Sequence, residues 1–82
     1  MKVYNVIDEA YMVWSFSSVK GVMKFTKPSQ YCDRNGKFLD DKDVRKSLRE
    51  GNDVYLYDFD IDGDLKSDWS MKITVNNLMV IE

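Results

Sequence analysis

Residues 53–80 read DVYLYDFDIDGDLKSDWSMKITVNNLMV, two alternating runs around an acidic loop. In the first run Tyr55, Tyr57, Phe59 and Ile61 alternate with Val54, Leu56, Asp58 and Asp60. In the second, Trp69, Met71, Ile73 and Val75 alternate with Ser70, Lys72, Thr74 and Asn76. A period of two is that of a half-buried strand. Between the runs, Asp62-Gly63 tolerates the positive φ that a chain reversal needs. The stretch therefore predicts a β-hairpin with a long acidic tip. A lone hairpin is marginal in water, so the rest of the chain is expected to cover its aromatic face.

Upstream, residues 1–7 (MKVYNVI) read as a strand, interrupted by Asp8-Glu9. Residues 11–16 (YMVWSF) read as a second strand, with Met12, Trp14 and Phe16 on one face, antiparallel to the first across the Asp8-Glu9-Ala10 turn. Ser17-Ser18 then offers a helix N-cap, followed at helical spacing by Val19, Val22, Met23 and Thr26 before Pro28 stops the run. Val19, Gly21, Met23 and Phe25 also alternate as in a strand, and Gly21 costs a helix about 1 kcal/mol. A helix is the favoured reading. Asn35-Gly36 marks a turn between Tyr31-Cys32 and Phe38-Leu39. The best-specified helix follows, with Asp40 as N-cap, Leu39 and Val44 as a hydrophobic staple and Asp41 and Asp43 in the first turn. Arg45, Lys46 and Arg49 lie towards its end, and Gly51 follows as the cap. Asn76-Asn77 is turn-compatible, so that residues 78–81 (LMVI) either continue the last strand through a bulge or fold back as a brief one. The expected fold is α+β: a small antiparallel sheet of four to five strands with one or two short helices on one face.

Eighty-two residues make a single domain, residues 1–82, which buries only roughly 60–65% of its unfolded surface. The 44% apolar and 32% charged composition is globular. A lone cysteine, Cys32, forms no internal disulfide, no N-terminal stretch resembles a signal peptide, and no apolar run reaches the length of a membrane span. A cytoplasmic protein is expected. Its charge is asymmetric: residues 1–51 carry ten Lys or Arg against seven Asp or Glu, and residues 52–82 carry two against seven. Such a distribution serves either partner steering over about 8–10 Å or, as the favoured reading, solubility alone.

The sharpest local pattern is Asp58-x-Asp60-x-Asp62-Gly63, the opening half of an EF-hand calcium loop. Carboxylates on alternate residues converge on a hard cation when the backbone wraps. Trp69, however, stands where a bidentate Glu closes such a site, and the preceding segment is strand-like. Asp58, Asp60 and Asp62 are therefore candidate ligands only for weak Ca²⁺ or Mg²⁺ binding, and no cofactor is assigned. The chain has no histidine, the commonest general base, and Cys32 lacks a His partner, so an enzyme is not expected. Lys20, Lys24, Lys27, Lys42, Arg45, Lys46 and Arg49 suggest a basic stripe, diluted by interspersed carboxylates in a chain of pI about 5.0, which disfavours nucleic acid as a partner. The Asp58, Asp60, Asp62, Asp64 and Asp68 row equally suits a nucleic-acid mimic. Tyr55, Tyr57 and Trp69 beside that row are candidate interface anchors, whereas Trp14, Phe16, Phe25 and Phe59 read as core, as Trp69 equally does.

Residues 1–25, with their first strand, Asp8-Glu9 break, Trp14-Ser15-Phe16-Ser17-Ser18 and the Val19 to Phe25 segment, resemble the opening of many small bacteriophage-type accessory proteins. The charged stretch 40–50 leading into VYLYDFD shares that character. The resemblance implies a factor that binds and modulates a bacterial host protein in the host cytoplasm. It transfers no functional residues. The resulting expectation is a non-enzymatic interaction module acting by occlusion through Tyr55, Tyr57, Asp58, Asp60, Asp62, Asp64, Asp68 and Trp69, with a metal-binding module and a nucleic-acid mimic or binder as rivals.

Overall fold

The computed structural model describes residues 1–77, and the alternatives for residues 78–81 lie outside them. Four strands, β1 (Lys2–Asp8), β2 (Val13–Phe16), β3 (Val54–Leu56) and β4 (Met71–Asn77), form an antiparallel sheet in the order β2-β1-β4-β3. Asn76 and Asn77 extend β4 opposite Val3 and Lys2, rather than turning the chain. Two helices, α1 (Val19–Thr26) and α2 (Asp41–Arg49), lie in the connection between the two edge strands and cover one face.

Register decides that face. Trp14, Val6, Ile73 and Val54 stand side by side across the four strands, flanked by Tyr4 and Leu56. Against them pack Val19, Val22 and Met23 of α1 and Val44 and Leu48 of α2. Val6, Val22, Leu48, Leu56 and Ile73 are all 0% exposed. The expectation that Tyr55, Tyr57, Phe59 and Ile61 form the covered face is thus overturned in phase. Leu56 points into the core, Tyr55 is 43% exposed and Ile61 lies fully in solvent. A strand's period is indifferent to which of its two faces is buried, and a one-residue slip exchanges them.

The first run of the hairpin is also shorter than its alternation suggests. After Leu56 the backbone leaves β4, and Tyr57 exchanges both backbone hydrogen bonds with Cys32 at 2.8 Å. Asp58 and Asp60 therefore stand outside any regular strand. The hairpin is held at its other end by Asp53, whose Oδ1 accepts from the Val75 N–H at 2.9 Å.

α1 carries Gly21 for a spatial reason: a Cβ there would sit 3.2 Å from the Phe16 ring. Phe16 and Trp14 each pack against Phe25 with ring centroids 5.2 Å apart and planes tilted by 45° and 48°, an aromatic seam between β2 and α1. Ser18 caps the helix by accepting from the Gly21 N–H at 3.1 Å. α2 is capped by Asp40, whose Oδ1 accepts from the Lys42 N–H at 2.8 Å. At its C-terminal end Lys2 Nζ donates to the Arg49 carbonyl at 2.6 Å, placing a cation where the helix dipole is negative.

Candidate functional site

The sheet face opposite the helices has no element of the described residues across it, and its residues follow from the register. Ser15, Asn5 and Thr74 make a polar row, in which Ser15 Oγ donates to Asn5 Oδ1 at 2.6 Å. Towards the end where β1 finishes, the next row is Val13, Ile7, Lys72 and Tyr55. Lys72 Nζ lies 5.9 Å from the Tyr55 ring centroid and 5.6 Å from that of Trp69, one ammonium over two aromatic faces. Tyr11 meets Trp69 edge-on, with centroids 6.4 Å apart and planes at 84°. Rings that belong to the alternating runs thus collect on the open side of the sheet.

Three hairpin turns share one construction. In each, an Asp carboxylate accepts from the N–H groups two and four residues on. Asp8 Oδ1 takes Ala10 and Met12, Asp33 Oδ1 takes Asn35 and Lys37, and Asp60 Oδ1 takes Asp62 and Asp64, all between 2.8 and 3.0 Å. The Asp N–H also donates to the carbonyl four residues on, as in a type I turn with a left-handed fourth residue. That residue is Gly36 at φ 84°, Gly63 at φ 84° and, in the first turn, Tyr11 at φ 61°.

This construction explains the Asp58-x-Asp60-x-Asp62-Gly63 pattern. Asp60 is the capping carboxylate of a turn, and Asp58 Oδ1 accepts from the Phe59 N–H at 2.8 Å. Both direct an oxygen at the backbone rather than at a common centre. Among the described residues no group of three or more His, Cys, Asp or Glu is placed to hold a metal ion. Asp62, Asp64 and Asp68 are exposed.

Between the Asp8 turn and the acidic loop lies an open cleft of about 760 Å³ whose walls include Glu9, Tyr11, Asp60, Lys66, Asp68 and Trp69. Lys66 Nζ stands 3.7 Å from Glu9 Oε1 across it. Of the residues singled out from sequence, Asp60, Asp68 and Trp69 meet in this cleft, and Tyr55 joins them through Lys72. Tyr57 lies apart, in a second hollow of about 500 Å³ that also includes Asp33, Arg34 and Tyr55. No family model, curated protein or solved structure matches the chain. The site is therefore read from its own geometry. Glu9, Tyr11, Lys66 and Lys72 were not foreseen: an Asp with Gly three places on marks the Asp33 and Asp60 turns, but the Asp8 turn carries Tyr11 in that place.

Cys32 is 1% exposed, and its burial pushes the thiol pKa up, with Asp33 and Asp58 adding repulsion for a thiolate. The neutral thiol is thus favoured in the folded chain. Its contribution to stability is full below the ordinary thiol value and is lost as pH rises through the raised one. We expect Ellman's reagent to leave the native protein unmodified at neutral pH and to label it as soon as it is unfolded. Native labelling at the unfolded rate would contradict this burial. Among the described residues, no helix is long and apolar enough to cross a membrane.

Proposed function

We propose that this chain is a non-enzymatic protein-interaction module, a phage-type modulator of a bacterial host protein that acts by occlusion. The observation that carries the reading is the outward placement of aromatic rings beside free carboxylates. Tyr55, 43% exposed, and Trp69 lie on the uncovered side of the sheet, and Asp62, Asp64 and Asp68 project from the adjoining loop. Rigid aromatic area gives an interface anchor at low entropic cost, while charge at the rim accelerates encounter with a basic partner.

The test is affinity capture from a bacterial lysate with the wild-type chain and with Asp62→Lys/Asp64→Lys. Both side chains are exposed and outside the hydrogen bonds of the turn, so the double variant should melt within a few degrees of wild type. A partner captured by the wild type at low salt should be lost, or bound at least roughly tenfold more weakly, by the variant. Equal capture by both would remove the acidic loop from the interface.

A further inference from the structure

We propose that the cleft between the Asp8 turn and the acidic loop is a subsite for a single arginine side chain of the partner, held at the corner between Tyr11 and Trp69. This rests on the interaction reading above and specifies its chemistry. Two rings at 84°, with centroids 6.4 Å apart, make a corner in the cleft wall. Glu9 on one wall and Asp60 and Asp68 on the other place three carboxylates around it, against two ammonium groups, Lys66 paired with Glu9 at 3.7 Å and Lys72 over Trp69. A guanidinium suits such a corner better than an ammonium. It is planar, weakly hydrated, stacks on aromatic faces and donates to carboxylates as a fork. The molecule already uses this aromatic surface for a cation of its own, because Lys72 Nζ lies 5.6 Å from the Trp69 centroid.

Tyr11 gives the cleft its second ring at a conformational cost. At φ 61° it occupies a position that its two sibling turns fill with glycine, where an L residue is disfavoured by roughly 1 kcal/mol. Core packing does not explain it, since the side chain is 78% exposed. What the ring does contact is Trp69 and the cleft.

The probe is N-acetyl-arginine amide, titrated to millimolar concentration against the ¹⁵N-labelled chain, with N-acetyl-citrulline amide as its uncharged isostere. The two tryptophan indole N–H signals report separately, Trp69 on the cleft and Trp14 on the α1 seam as an internal control. Arginine should shift Trp69 saturably and leave Trp14 in place, and citrulline should do neither. Tyr11→Gly, which adopts the sibling turns' residue and should fold at least as well, should weaken the arginine response roughly fivefold or more. A non-saturating shift, equal shifts of both indoles, equal responses to citrulline, or an unchanged response in Tyr11→Gly would each overturn the proposal. The two readings fail separately. Arginine binding at Trp69 without lysate capture sustains the subsite and sinks the wider interaction reading. Capture that depends on Asp62 and Asp64, with Trp69 indifferent to arginine, removes the subsite alone.

Discussion

Leu56→Ala is expected to destabilise the domain by about 2–5 kcal/mol, while Tyr55→Ala, one residue earlier, should cost about 1 kcal/mol or less. Leu56 is 0% exposed among side chains of the sheet and both helices, so truncation leaves a cavity that its neighbours only partly refill. Tyr55→Ala removes a ring that is 43% exposed and one cation–π contact with Lys72 at 5.9 Å. A domain of this length holds roughly 4–12 kcal/mol in total, so Leu56→Ala should lower the melting temperature by about 10 °C or more. Parallel thermal melts by circular dichroism decide it. A larger loss for Tyr55→Ala would mean that β3 presents its other face to the helices.

The second large effect is expected at Asp60. Its Oδ1 accepts from the N–H groups of Asp62 and Asp64, so Asp60→Ala releases two donors at once and should cost about 1–2 kcal/mol. Asp62→Ala, which alters an exposed side chain of the same acidic run, should stay within about 0.5 kcal/mol. Saturating Ca²⁺ should leave both melts unchanged. A metal site built on this run makes the opposite prediction: the two substitutions would be alike in abolishing a Ca²⁺-dependent rise in melting temperature, since a ligand bound only to the native state must stabilise it. Equal melts for the two variants, each losing such a rise, would restore the calcium-loop reading.

These two residues also mark where sequence reasoning reached and where it stopped. Alternation between Val54 and Ile61 was legible as strand character, yet alternation defines two faces and names neither as buried. The pairing of Val54 with Ile73, and of Ile73 with Val6, makes the choice, and those partners are distant in the chain. Small aliphatic residues on both helices complete the core, which leaves the tyrosines of the 55–61 run outside it. Helix signals, being local, were readable: Ser18 and Asp40 cap as their positions suggest. The Asp58 to Gly63 pattern was ambiguous because alternate carboxylates serve a cation or a turn equally well, and only the direction of the N–H groups separates the two. Tyr11 was invisible for the converse reason, since a left-handed tyrosine carries none of the composition by which such a turn announces itself.

The β1–β4 pairing has a consequence for how the chain comes into being. Lys2 to Asp8, near the start, sits at the centre of the sheet and finds its second neighbour only in Met71 to Asn77. During synthesis β1 and β2 emerge as a two-strand ribbon, and both helices follow, before either has a completed surface to cover. β3 is also without its partner until β4 arrives. Closing so long a loop before its contacts form slows folding and exposes strand edges in the interval. A nascent chain arrested before Met71 should therefore be protease-sensitive throughout, and release of β4 should convert residues 1–77 to the folded state in one step.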